Sequence, residues 1–283
     1  MNNDRHVITR RTFAATSLVA GFTLAAGPLR AGAIVTDANG LVAGEVKIPV
    51  RDGTIPGFRA RPATGSHWPV VLVTQEIFGI HEHIRDICRR FAKLGCYAIA
   101  PSLYARYGDP GQYTDIHKLV TEVVSKVPDA EVMSDLDAAA KFAGGEGADA
   151  ARLSIIGFCW GGRIVWLYAA HNPELKAAAA FYGALRAPVP RNPLRPLYPL
   201  DLASKMNAPV IAFYGAKDDG IPVADVEAMR AALAQAGKRD WHIDVFMDTG
   251  HGFFADYRPS YNGTDAKLAW SRTIDWFKEH HAM

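Results

Sequence analysis

The sequence predicts an α/β fold: a mostly parallel, doubly wound sheet with helices on both faces. Two observations carry that reading. Short apolar runs alternate with helix-periodic segments along most of the chain, the pattern of strand–helix–strand crossovers. Several of those runs are continuous in Val, Ile and Ala rather than alternating with polar residues, as strands covered on both faces are.

Taken in order, "GEVKIPVRDGTIPGFRARPA" (44–63) alternates polar and apolar residues around Asp52-Gly53 and reads as a β-hairpin. "WPVVLVTQEIFG" (68–79) is an apolar run ending in polar residues, a buried strand. In residues 82–94, Ile84, Ile87, Cys88, Phe91 and Leu94 fall at helical intervals before Gly95, a C-terminal stop. "CYAIAP" (96–101) is the next strand and "SDLDAAAKFAG" (134–144) the next helix. The alternation then repeats with strand 152–158, helix 161–171, strand 175–183, strand 208–219, helix 223–237, a strand with a loop over 241–253, and a helix over roughly 265–281. The proline-rich interval 183–207 reads as an irregular excursion, not a linker. With no internal repeat and one composition regime, residues 34–283 are expected to form a single domain.

A hydrophobic content of 49% with 21% charged residues is sufficient for a sizeable core and far from a disordered composition. The N-terminus has the layout of an export signal. Arg10 and Arg11 precede Phe13 and a weakly apolar run from Ala14 to Ala26, followed by Ala31-Gly32-Ala33. Thr-Arg-Arg-Thr-Phe resembles the twin-arginine motif. Thirteen modestly apolar residues fall short of the roughly 20 that span a bilayer. Residues 1–33 are therefore expected to be a cleaved leader, the mature protein periplasmic, and any membrane contact confined to that leader. Removing Arg5, Arg10, Arg11, Arg30 and Asp4 takes the formal charge from +2 to −1, without the basic stripe that a nucleic-acid partner calls for.

Chemistry is expected just beyond the carboxyl ends of the strands. Four ends carry reactive groups: Gln75-Glu76, Cys159, Asp218-Asp219 and His251. Cys159 lies in "SIIGFCWGGR", with Gly157 two residues before it and Gly161 two after. Such spacing suits a nucleophile on a tight strand-to-helix turn, where side chains at the flanking positions would clash. A helix N-terminus there also favours thiolate over thiol. A cysteine on its own is commonly a small buried residue. The chain order Cys, Asp, His, which is the nucleophile, acid, base order of α/β-hydrolases, argues for the reactive reading. His251, between Gly250 and Gly252, is the candidate base. Asp218 and Asp219 compete to orient it, leaving the other to cap the following helix. His81 and His83 in "GIHEHIRD" have no further ligand types clustered with them, so no metal site is read. Cys88 and Cys96 could pair, but with three cysteines at least one thiol stays outside any intramolecular disulfide, and Cys159 is expected to be that one.

These residues resemble the dienelactone hydrolase (carboxymethylenebutenolidase) family of the α/β-hydrolase fold. The matching pieces are "QEIFG" (75–79), "APSLYAR" (100–106), "GFCWGG" (157–162), "YGAKDDGIP" (214–222) and "GHGF" (250–253). The resemblance implies Cys159 as nucleophile, Asp218 as acid and His251 as base, with no cofactor. It implies that Glu76 contacts the resting thiol and controls it, and that the backbone N–H groups of Trp160 and Ile77 form the oxyanion hole. Arg106 matches an arginine that binds the substrate carboxylate. For the second such arginine, Ala255 stands near the family position and Arg258 lies further on. Ser102 replaces an acidic residue expected after Pro101.

The implied activity is cysteine-dependent hydrolysis of a small lactone or activated ester by a monomer. A thiol-redox protein using Cys159 is the main alternative, and it requires a resolving cysteine nearby. A non-catalytic binding module on the same fold is the other.

Overall fold

The computed structural model of the chain describes residues 33–283, so the expected leader lies outside the described residues except for Ala33. The predicted hairpin is formed by β1 (Leu41–Val50) and β2 (Gly53–Pro62). Val50 pairs with Gly53, which makes Arg51-Asp52 the turn, one residue earlier than the sequence suggested. There follow β3 (Pro69–Thr74), α1 (Glu82–Lys93), β4 (Tyr97–Pro101), α2 (Ile116–Glu122), α3 (Asp129–Gly145), β5 (Asp149–Phe158), α4 (Trp160–His171) and β6 (Ala177–Phe181). The chain ends with α5 (Pro199–Leu202), β7 (Val210–Gly215), α6 (Val223–Gln235), β8 (Trp241–Phe246) and α7 (Gly263–Glu279).

All eight strands join one sheet in the order β1-β2-β4-β3-β5-β6-β7-β8. The strands from β3 to β8 are mutually parallel, and β2 runs antiparallel to both β1 and β4. From β3 the chain steps to β4 on one side, then crosses back to β5 and continues in the opposite direction. Right-handed crossovers in opposite directions put their helices on opposite faces, so α1 covers one face and α3, α4 and α6 the other. α7 joins α1, with the Phe91 ring 4.8 Å from Trp270 and 6.0 Å from Phe277. Every residue of β3, β6 and β7 is buried, which accounts for their uninterrupted apolar sequences.

The reversal of direction also positions the site. β3 and β5 are neighbours, with Thr74 opposite Gly157, and the chain leaves them toward opposite faces. Their carboxyl ends therefore splay apart and leave a crevice, the usual ligand site of such sheets. Glu76 and Cys159 emerge there.

Two segments differ from the sequence reading. Residues 102–128, to which the sequence reading assigned no element, contain α2 and 3₁₀ turns at Pro110–Gln112 and Val124–Lys126. α2 is fixed by its cap: the Asp115 carboxylate accepts from His117 N–H at 2.8 Å and Lys118 N–H at 3.2 Å. Seven residues are too few to display a helical period. The excursion after β6 contains α5 and is tied down along its length. Arg191 grips Asp201 at 2.7 and 3.0 Å, Arg163 Nη2 donates to Leu197 O at 2.6 Å, and Asp129 N–H donates to Leu194 O at 3.0 Å. Among the described residues, no helix is long and apolar enough to cross a membrane.

Candidate active site

Cys159 is the single residue between β5 and α4, and its backbone has φ 55° and ψ −114°. A positive φ is uncommon for a residue with a side chain and costs about 1–3 kcal/mol unless its surroundings impose it. The surroundings do so here. Cys159 N–H donates to Phe181 O at 3.0 Å, and its carbonyl accepts from Arg163 N–H at 3.2 Å. A Cβ on Gly157 would lie 1.9 Å from Thr74 Oγ1, and one on Gly161 would lie 2.4 Å from Thr74 O. Only glycine lets the turn sit this close to the end of β3, as the motif spacing suggested.

Asp218, in the turn after β7, and His251, in the loop after β8, meet with Oδ2 2.7 Å from Nδ1. Asp218 Oδ1 accepts from the N–H groups of Gly220 at 2.9 Å and Ile221 at 3.1 Å. One buried carboxylate thus both orients the imidazole and closes its own turn, while Asp219 is exposed. Lys217 N–H to Thr249 O at 2.8 Å laces the two loops together. Burial alone would lower the His251 pKa. The charge on Cys159 and the Asp218 carboxylate outweigh it and push the value up to about 10. His251 is coupled to Cys159 by charge and by a side-chain contact. Its Nε2 is buried without a well-formed hydrogen bond, as expected of catalytic contacts that tighten only around substrate.

Glu76 is completely buried. Arg258 Nη2 lies 3.2 Å from Oε1, the Tyr257 hydroxyl donates to Oε2, and His81 Nε2 lies 3.6 Å from that oxygen. Burial opposes ionisation, but Arg258, His81 and Tyr257 together hold the carboxyl well below the usual carboxylate range. The expected contact between Glu76 and the resting thiol is not among its hydrogen bonds in the described residues. A buried carboxylate needs strong donors, and a guanidinium and a phenol outcompete a thiol. The same pairing changes the reading of Arg258, whose guanidinium is buried against Glu76 and not offered to an incoming anion.

Arg106 is likewise occupied. It holds Asp52 at 2.6 and 2.8 Å and Asp135 at 2.7 and 3.1 Å, with Glu131 at 3.5 Å. Among the described residues no contact joins it to Cys159, His251 or Glu76, so the structure does not bring it together with them. Trp160 follows Cys159 at the end of β5 and Ile77 follows Glu76 beyond β3, and their backbone N–H groups donate to no acceptor among the described residues. Both are therefore available for an oxyanion. His81 and His83 have separate partners, His81 beside Glu76 and His83 with Nδ1 2.9 Å from Asp256. Cys88, Cys96 and Cys159 are free thiols, and burial pushes the Cys96 thiol up to about 12. A cavity of about 580 Å³ lies between Phe78, His81, Ser102 and Pro110, and neither Glu76 nor Cys159 lines it.

Four further residues frame the crevice. Tyr182, directly after β6, has φ 39°, packs edge-on to His251 at 5.1 Å, and buries a hydroxyl that has no hydrogen-bond partner among the described residues. The Tyr104 ring lies 4.9 Å from Trp160. Tyr257 holds Glu76, and Arg195, on the excursion, interacts electrostatically with Tyr104. Tyr182 had a usable signal, since it stands at the end of β6, between the strands β5 and β7 that lead to Cys159 and Asp218. Arg195 had none.

The chain resembles known proteins over most of its length. The pattern of the Dienelactone hydrolase family matches residues 55–281. A Methylorubrum extorquens protein provisionally named carboxymethylenebutenolidase is 56% identical over 275 residues, covering 96% of this chain and 94% of that protein. One from Escherichia coli with the same provisional name is 49% identical over 267 residues, covering 94% and 97%. The crystal structure of a provisionally named dienelactone hydrolase from Klebsiella pneumoniae has a TM-score of 0.81 at 52% identity, covering 84% of this chain and 99% of that one. A dienelactone hydrolase-like promiscuous phosphotriesterase from metagenomic libraries, with a TM-score of 0.70 at 21% identity and coverage of 85% and 98%, shares the fold.

Proposed function

The chain belongs to the dienelactone hydrolase family, and from that premise we propose that it hydrolyses lactones or activated carboxylic esters through Cys159, His251 and Asp218 by way of a thioester. It is a dienelactone hydrolase-like enzyme on an α/β-hydrolase fold. The observation that carries the finer reading is the linkage of Cys159, on a strained turn, to His251 and Asp218 at two other strand ends.

In this mechanism the Cys159 thiolate attacks the carbonyl carbon. A C–S bond forms and the carbonyl π pair moves onto oxygen. That oxyanion accepts from the N–H groups of Trp160 and Ile77, each worth about 3 kcal/mol in the transition state. The intermediate collapses with cleavage of the C–O bond, and imidazolium at His251 gives its proton to the departing oxygen. Neutral His251 then takes a proton from water, hydroxide adds to the thioester, and the thiolate departs to leave the carboxylic acid. Asp218 fixes the tautomer and stabilises the imidazolium. A thiolate expels an ordinary alkoxide poorly and a stabilised enolate readily, which favours enol lactones and activated esters over amides. The control of the thiol that the resemblance assigns to Glu76 requires its carboxylate to leave Arg258 and Tyr257, which hold it in the structure.

Purified protein assayed with a dienelactone and with p-nitrophenyl acetate, beside C159A and C159S, tests the reading. Both substitutions should abolish turnover; hydrolysis unaffected by C159A sinks the mechanism. Activity on the simple ester alone would keep the mechanism and remove dienelactone as substrate. The leader with Arg10 and Arg11 supports action in the periplasm, and fractionation of cells expressing the full chain tests it: protein retained in the cytoplasm at full length refutes export.

A further inference from the structure

The arginines near the site have different fates. Arg106 is saturated by Asp52 and Asp135, Arg258 is paired with Glu76, and Arg163 holds Asp129 at 2.8 and 2.6 Å. Among the described residues Arg195 has no such partner. Its Nε and Nη2 are both buried, and neither donates a hydrogen bond. These two N–H groups share one edge of the guanidinium, the edge that grips a carboxylate through two parallel bonds. Buried donors left unmade are costly and call for an explanation such as a missing ligand. Burial lowers the pKa of Arg195, and neither the Tyr104 hydroxyl nor Asp129 compensates in full against the nearby Arg163.

Its location points to the same use. The residues on either side are lashed to the helices that begin at the site: Leu197 O accepts from Arg163, on the first turn after Cys159, and Leu194 O accepts from Asp129 at the start of α3. Tyr104 lies within electrostatic reach of Arg195, Cys159 and Glu76 together. Its hydroxyl is 3.4 Å from Glu76 O and its ring packs on Trp160, which follows the nucleophile. Pro193, Leu194, Pro196 and Leu197 line an outer apolar groove of about 460 Å³, and Arg195 does not. The segment thus gives its apolar residues to that groove, while the Arg195 guanidinium interacts electrostatically with Tyr104, which packs on Trp160.

We propose that Arg195 is the anion anchor of this active site, receiving on its Nε and Nη2 edge a carboxylate that the substrate carries away from the scissile carbonyl. The role that resemblance assigns to Arg106 and Arg258 thus passes to a residue on the excursion. The substrate is a lactone or ester with a second, anionic group. This inference rests on the hydrolase reading above.

The experiment compares mono-p-nitrophenyl glutarate with p-nitrophenyl butyrate, using kcat/KM for wild type, R195M and R195K, with C159S as the control. Wild type should favour the carboxylated ester. R195M should lower the anionic-to-neutral ratio by about tenfold or more, the size expected of a charged hydrogen-bonded contact, chiefly through KM, and R195K should restore part of it. A ratio equal in wild type and R195M overturns the assignment. Should R195M fail to accumulate, inhibition of wild-type butyrate ester hydrolysis by glutarate and by neutral glutaramide decides: stronger inhibition by glutarate that R195K weakens supports the anchor, and equal inhibition overturns it. Hydrolysis that survives in C159S marks failure of the hydrolase mechanism, whereas Cys159-dependent hydrolysis without charge preference marks failure of the anchor alone.

Discussion

His251 Nδ1 sits 2.7 Å from Asp218 Oδ2, while the other oxygen of that carboxylate closes the turn after β7. D218N keeps the turn acceptor but removes the charge that steadies the imidazolium. It should lower kcat by about 100-fold or more, the scale of general acid–base catalysis. The His251 pKa is raised from 6.5 to about 10, so its contribution to stability is complete below pH 6.5 and is lost as pH rises through about 10. The alkaline limb of the wild-type kcat/KM profile should lie near that upper value. D218N should move the limb to lower pH, and an unmoved limb would show that Asp218 does not govern the imidazole.

The Glu76–Arg258 pair is buried on both sides. Removing one partner strands the other, so E76Q and R258M should each destabilise by about 3–5 kcal/mol, with the double substitution costing less than the sum. Because the folded-state pKa of Glu76 is depressed below 4.5, its contribution is present above that pH and lost as pH falls beneath it. Urea unfolding of the four proteins at neutral and acid pH measures both effects, and additive single losses would deny the pairing.

G161A adds a methyl group where a Cβ would lie 2.4 Å from Thr74 O and 2.6 Å from Gln75 O. Backbone cannot swing aside as a long side chain can. The expected loss is about 1–3 kcal/mol or failure to fold, together with reduced activity at the displaced nucleophile. Thermal unfolding checks the first, and a stable, fully active G161A contradicts the packing.

R106M should lower stability by about 1–3 kcal/mol, because it leaves the buried Asp135 carboxylate without its donors. It should leave the anionic-to-neutral ester ratio as in wild type. A drop matching that of R195M would return the carboxylate to Arg106.

Cys159, His251 and the Asp218-Asp219 pair were legible because strand ends are marked by where apolar runs stop, and reactive residues just past those stops share one rim of the sheet; strand ends alone did not say which aspartate meets His251. The arginines were not. What Arg106 and Arg258 do depends on Asp52, Asp135 and Glu76, which lie far from them in sequence and reach them only through the fold. Arg195 belongs to a proline-rich stretch with no period, where no pattern says which side chain turns inward. α2 escaped notice for the opposite reason, being too short for its period to register.

The turn that carries Cys159 owes its shape to its neighbours and not to its thiol: the carbonyls of Thr74, Gln75 and Phe181 crowd Gly161 and Gly162, the Thr74 hydroxyl donates to Ile156 O and Gly161 O, and none of these contacts involves the sulfur. Scaffold and reagent are therefore separable as inherited traits. A lineage could exchange sulfur for oxygen at this position by one codon change without rebuilding the turn, and the burden of that exchange would fall on reactivity, where selection by substrate acts, and not on folding.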